Sequence, residues 1–305
     1  MSLLDRAIVR LLPAVPKPVV QLFSSRYMAG ATLSEAVATV RRLNGAGKMA
    51  TIDVLGEEIT REDEARAIAQ SYRDVFAEIE RVGLDANVSV KPTALGLGLS
   101  YELCRENLES VVRHAASVGN FVRIDMEDST TTDDTLRLYR ELRQAGHDNV
   151  GVVLQAYLRR TLDDVAVLAD LRPNVRLCKG IYVEPASIAY TDDEAVRANF
   201  VRCLDALLGT RAYVGVATHD EWLIGEAERL LRGRGLNRNR YEFQMLLGVR
   251  EERAGELVAA GHRVRVYVPF GEHWYSYSLR RLQENPAMAG TIARATAGRV
   301  LRLRP

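Results

Sequence analysis

Cysteine is scarce in this 305-residue chain: Cys104, Cys178 and Cys203 are widely spaced and odd in number. They lack metal-ligand spacing, so the sequence predicts a reducing compartment and no structural zinc. The five histidines are equally scattered, without an HExxH pair, and no metal is expected. Charge of one sign is missing too. The 41 basic and 40 acidic residues nearly cancel, which removes any general pull toward nucleic acid and leaves anion recognition to local clusters. No apolar run approaches the ~20 residues needed to span a bilayer, and the start has no secretory-signal pattern. The chain therefore reads as cytoplasmic.

What is present is repetition. Eight short apolar runs, rich in Val and Ile, begin at Met49, Val88, Phe121, Val150, Val175, Ala212, Tyr241 and Val264. Each has the length of a buried strand, and the starts are 23 to 39 residues apart, the length of a βα unit. The intervening segments read as helices. REDEARAIAQSYRDVFAEIERVG and DDTLRLYRELRQAG are the clearest, each acidic near its start and closed by Gly. Eight such units predict an α/β fold, a (β/α)₈ TIM-type barrel spanning residues 49–305, with a helical segment over residues 1–48 packed on it. A doubly wound sheet is the rival, but the turn after the first run reads DVLGEEITRED, without GxGxxG or a P-loop. Within MSLLDRAIVRLLPAVPKPVVQLF, Leu3, Leu4, Ile8, Leu11 and Leu12 share helical spacing with Arg6 and Arg10 between them. That pattern favours an amphipathic helix docked on the body over a membrane-surface anchor.

A barrel places its chemistry where strands end, and nearly every run ends in a hydrogen-bonding side chain. These are Lys91, Asp125 with Glu127, Gln155 with Tyr157, Arg176 with Lys179, Thr218 with His219 and Asp220, Glu242 with Gln244, and Tyr267. Singly, each has an ordinary explanation. Lys91 reads as a loop charge, Asp125 or Asp220 as a helix cap, Arg176 and Lys179 as partners of Glu127 or Glu242, and His219 as a satisfied core histidine. Together, so many cations at one barrel mouth point to anionic ligands that offset their burial. A further cluster follows in SYSLRRLQENP, where Tyr277, Arg280, Arg281 and Glu284 share one helical face that, taken alone, reads as a solvated surface with an Arg280–Glu284 pair. A pair of guanidinium groups suits a carboxylate held bidentately.

VSVKP, RIDME, LQAY, RLCKG, ATH, EFQML, VYVPFG and YSLRRLQEN, in this order on successive units from Met49 to Pro286, resemble the FAD-dependent proline dehydrogenase family. The chain looks like the monofunctional bacterial form. The resemblance implies oxidation of L-proline to Δ1-pyrroline-5-carboxylate with hydride passing to FAD, as the first step of proline catabolism. It gives Asp125 and Arg176 to the active centre, with Arg176 beside the flavin, and assigns the proline carboxylate to Arg280 and Arg281 with Lys91 assisting. Leu246, Tyr267 and Tyr277 would wall the proline ring, and Glu284 would pair with the arginines to close a final helix over the mouth. Met126, Gln155, Lys179, Gly180, Ile181, Thr218 and His219 would join Arg176 in contacting the cofactor. Asp220 departs from the family pattern and adds a negative charge near the adenine end of the flavin. The resemblance further implies reoxidation by a membrane quinone, transient contact of the enzyme with the inner-membrane surface, and a pyrroline-5-carboxylate dehydrogenase as downstream partner. Rival readings are a Schiff-base lyase using Lys91 or Lys179, and an amino-acid sensor using the arginine pair. The C-terminal ARATAGRVLRLRP, with four arginines and no acid, reads as a solvated tail.

Overall fold

A computed structural model describes residues 26–56, 59–272 and 274–275. The expected amphipathic segment at the start, and Tyr277, Arg280, Arg281 and Glu284, lie outside the described residues. Eight parallel strands, β1 (Met49–Val54), β2 (Ala86–Val90), β3 (Val122–Ile124), β4 (Val150–Gln155), β5 (Asn174–Cys178), β6 (Tyr213–Ala217), β7 (Tyr241–Leu246) and β8 (Val264–Phe270), follow one another around a closed barrel. Closure is direct: β1 pairs with β8 from Met49 opposite Arg265 to Val54 opposite Phe270. All eight predicted strands are present.

Helix α1 (Leu33–Gly45) precedes the barrel and packs on β1 and β8. It starts with a capping box, in which Thr32 Oγ1 accepts from Glu35 N at 3.3 Å and Glu35 Oε2 accepts from Thr32 N at 2.9 Å. The crossover helices are α2 (Glu62–Val82), α3 (Tyr101–Ser117), α4 (Thr132–Gln144), α5 (Thr161–Leu168), α6 (Asp193–Leu208), α7 (Glu221–Gly233) and α8 (Glu251–Ala259). Three acids in the first turn of α2 oppose its dipole, and Gly83 ends it in the left-handed region at φ 69°. Among the described residues no helix is long and apolar enough to cross a membrane.

Side chains alternate between the two faces of a barrel strand. One set, including Ile52, Val88, Ile124, Val152, Leu177, Val216, Phe243 and Val266, belongs to a single apolar core shared with helix residues such as Tyr72, Phe76, Leu108, Leu138 and Phe200. The other set is polar. Asp53, Ser89, Arg123, Asp125, Arg176, Glu242, Gln244 and Arg265 are all buried, on the strand face opposite the apolar set and so inside the barrel.

Candidate active site

Apart from Arg123, these interior residues form one continuous network. Arg176 lies in mid-strand on β5. Its Nη1 donates to Asp125 Oδ1 at 2.6 Å and more weakly to Ser89 Oγ at 3.3 Å, while its Nε donates to Gln244 Oε1 at 2.5 Å. Asp125, just beyond β3, also accepts from Ser89 Oγ at 2.6 Å and from Tyr267 Oη at 2.9 Å. The Arg176 guanidinium stacks 5.3 Å from the centre of the Tyr267 ring. Tyr267 continues the chain to Lys91, whose Nζ lies 3.4 Å from its hydroxyl and 2.7 Å from Asp53 Oδ2. Tyr72 reaches in from α2 to donate to Asp53 Oδ1 at 3.2 Å. Burial, followed by the nearby charges of Asp125 and Asp53, raises the Tyr267 hydroxyl well above its usual range, so it stays protonated as a donor.

Below this lies a second set of charges. Glu242 Oε1 accepts from Arg265 Nε at 2.7 Å, and Tyr213 Oη donates to Glu242 Oε2 at 2.7 Å. Burial pushes the Glu242 carboxyl up, but the Arg265 charge and the hydrogen bonds from Arg265, Tyr213 and Gln244 outweigh it and bring it down to about 2. Arg123 bonds the Val152 and Asn174 carbonyls and the Asn174 side chain. Burial, then repulsion from Arg176, lowers its guanidinium to about 9.

At the rim, Gln155 is buried, and its Nε2 donates to the Met126 carbonyl at 3.1 Å. Its Oε1 is buried with no partner among the described residues, an acceptor waiting for a donor. Gly180 adopts φ +104°, and a Cβ there would fall onto the Tyr157 ring. Ile181 beside it is 45% exposed. His219 Nε2 accepts from Leu246 N at 2.9 Å and Thr218 Oγ1 from Asp220 N at 3.1 Å, which ties the β6 and β7 loops together. Asp220 binds Lys179 Nζ at 2.6 Å and Arg197 Nε at 2.8 Å, and it caps α7 through Trp222 N at 3.1 Å. Burial opposes its ionisation, but Arg197 and Lys179 hold its carboxyl down at about 2. The extra acid therefore arrives with its own counter-ions.

The ion pairs differ from the alternatives open in the sequence. Arg176 pairs with Asp125 and Lys179 with Asp220, while Glu127 holds Thr93 N and Oγ1 at 2.9 and 2.5 Å and Glu242 holds Arg265. Lys91, Asp125, Arg176 and Tyr267 are brought together directly, and Met126 and Gln155 adjoin one another. Asp53, Ser89 and Arg197 were not singled out from the sequence. The available signal was an acid inside an apolar run, as in MATIDV, where the period-two pattern puts Asp53 on the face opposite Ile52. Among the described residues no group of three or more His, Cys, Asp or Glu is arranged to hold a metal.

A family model described as proline dehydrogenase matches residues 36–294. Proline dehydrogenase 1 of Bacillus subtilis strain 168 is 39% identical over 272 residues, 89% of this chain and 90% of its own length. Proline dehydrogenase of Deinococcus radiodurans is 37% identical over 273 residues, 88% of each chain. Among solved structures, proline utilization A from Bdellovibrio bacteriovorus, inactivated by N-propargylglycine, superposes with a TM-score of 0.83 at 25% identity. The match covers 92% of this chain and 36% of that one. The polar barrel mouth thus sits in a chain whose sequence and fold agree with one set of relatives, and the chain belongs to the proline dehydrogenase family.

Proposed function

We propose that the chain oxidises L-proline to Δ1-pyrroline-5-carboxylate with FAD as the bound electron acceptor. The observation that carries this reading is the concentration of Lys91, Asp125, Arg176 and Tyr267 in one hydrogen-bonded network at the C-terminal mouth of the barrel. The residues fit a flavin. The unpartnered Gln155 Oε1 would accept from a ring N–H, Arg176 offers positive charge, and Lys179 supplies a cation for the phosphates. Met126, Gly180, Ile181, Thr218 and His219 would complete the holding surface.

When bound, the flavin would take the hydride that leaves the proline ring carbon beside nitrogen as the nitrogen lone pair closes the C=N bond. The chain's own groups prepare that event. Arg176, held from two sides, keeps a positive charge where negative charge develops only during reaction. Asp125 is occupied by donors from Ser89, Arg176 and Tyr267, so it organises these groups instead of waiting as a free base. Lys91 lies beside Tyr267 and would meet the substrate carboxylate; the family resemblance would add Arg280 and Arg281 to that contact, Leu246, Tyr267 and Tyr277 to the proline ring, and Glu284 to the arginines. The Schiff-base alternative needs a neutral amine, whereas Lys91 is paired with Asp53 and Lys179 with Asp220 at 2.7 and 2.6 Å. Reoxidation by a quinone at the inner-membrane surface and onward use of the product by a pyrroline-5-carboxylate dehydrogenase complete the reading, on the strength of the family resemblance.

The test is a visible absorption spectrum of the purified protein under anaerobic conditions. A bound flavin that L-proline bleaches is the expected result. A colourless protein after reconstitution with FAD, or a flavin indifferent to proline, overturns the proposal.

A further inference from the structure

Gln244 has been given no part in holding cofactor or substrate, yet it joins the two charge layers of the barrel. We propose that Gln244 is a positioning residue that fixes the plane of the Arg176 guanidinium by accepting from its Nε, with Glu242 and the gap at Gly215 holding the amide in place. The inference rests on the flavin-side role proposed for Arg176.

The two ends of the Gln244 amide are chemically committed. Its Nε2 donates to Glu242 Oε1 at 2.6 Å, leaving Oε1 to meet the Arg176 Nε at 2.5 Å. The opposite orientation would aim an N–H at a guanidinium and a carbonyl at a carboxylate. Glu242 cannot turn away to accommodate that, because Arg265 and Tyr213 hold both of its oxygens. Arg176 is then bound through two different nitrogens, Nε by Gln244 and Nη1 by Asp125, and two acceptors on a planar fork define its orientation as one does not. The choice of a neutral acceptor also matters. Asp125 already supplies one anion, and a second at position 244 would neutralise the positive charge while facing the Glu242 carboxylate.

The backbone provides the passage. Gly215 on β6 lies in register with Arg176 on one side and Glu242 on the other. A Cβ at Gly215 would fall 2.5 Å from Gln244 Nε2 and 2.9 Å from its Cδ. The missing side chain on β6 is the space through which a β7 residue reaches across to β5. This makes Gly215→Ala a probe that removes no polar group and displaces only the tip of a flexible side chain.

The experiment measures three properties of the flavin-loaded protein: the midpoint potential of the flavin without substrate, the rate of anaerobic flavin reduction at saturating proline, and the Kd for proline. Gln244→Met and Gly215→Ala should each slow reduction roughly tenfold and make the potential more negative, with the proline Kd within about twofold. The double variant should match Gln244→Met alone, because both changes act on one contact. Arg176→Lys is the control. If it loses rate and potential while Gln244→Met and Gly215→Ala keep wild-type values, or lose only thermal stability, Gln244 is not a positioning residue. If Arg176→Lys itself behaves as wild type, the proposed role of Arg176 fails and takes this inference with it. Should Gln244→Met not fold, Gly215→Ala alone decides by the same two values.

Discussion

The same eight strands carry two unlike surfaces. Facing the helices, Ile52, Val88, Ile124, Val152, Leu177, Val216, Phe243 and Val266 are buried at 5% exposure or less and belong to one apolar core. Facing the axis, Asp53, Asp125, Arg176, Glu242, Gln244 and Arg265 are charged or amide side chains joined in one hydrogen-bonded network. A TIM-type barrel commonly fills its axis with branched aliphatic layers. Here the apolar driving force is concentrated in the outer ring, and the axis is held by hydrogen bonds and ion pairs. Such pairs add little net stability, since desolvation offsets most of their attraction, but they are costly to leave half made. The outer face accounts for folding, and the inner face for the chemistry proposed above.

Four experiments would break or sharpen that division. The largest effect on stability should come from the outer face. Phe243→Ala removes a fully buried ring packed edge-on to Tyr241 and His262, and should destabilise by about 3–5 kcal/mol. In denaturant titration the midpoint should fall, while kcat at low temperature stays near wild type; a matching loss of kcat would show that the two faces are not separable.

On the inner face, Glu242 carries an acid-sensitive contribution. Its carboxyl is held at about 2 against an ordinary 4.5, so the stabilisation is full above about 4.5 and is lost as the pH falls toward 2. Unfolding midpoints measured from neutral to acid pH should drop steeply through this window, and Glu242→Gln should start lower and fall less. Equal slopes would assign the acid sensitivity elsewhere.

Arg176→Ala should leave the core intact and reduce the rate of flavin bleaching by proline on the order of 10²–10³-fold, the scale of removing one charge-stabilising donor. Stopped-flow separates this from a binding defect: an unchanged bleaching rate with a raised proline Kd would move Arg176 to the substrate side. The smallest of the four concerns the arginine pair beyond the described residues. Arg280→Met or Arg281→Met should retain flavin and lose roughly tenfold or more in kcat/KM, the value of a charge-assisted contact. Wild-type kinetics in both would remove them from the carboxylate site.

The outer face was legible because it follows a period. Apolar runs at βα spacing gave eight strands, and acidic starts with glycine ends marked helices such as α2. Lys91, Asp125 and Arg176 stood out as polar residues at or near the ends of such runs. The partners did not, because an alternating pattern says which residues share a face and not which of them touch around a closed ring. Arg176 is separated from Asp125 by 51 residues and from Gln244 by 68, and either Glu127 or Glu242 was as good a partner on paper. Asp53 was concealed by its apolar neighbours. Gly215 could be recognised as functional only once its register with Arg176 and Glu242 was known.

The polar network also has an order of assembly. Arg265 and Tyr267 both come from β8, and their bonds to Ala50 and Asp125 span 215 and 142 residues of chain. Contacts so distant in sequence are made only against the entropy of closing those loops. Until β8 docks between β7 and β1, Glu242 lacks Arg265 and Asp125 lacks the Tyr267 hydroxyl, and their carboxylates remain in water. A nascent chain that has emerged only through β7 can hold most of the apolar ring and still lack the two β8 side chains of the polar network. Closure of the final seam is what adds Arg265 and the Tyr267 hydroxyl to a network whose other members already lie on neighbouring strands.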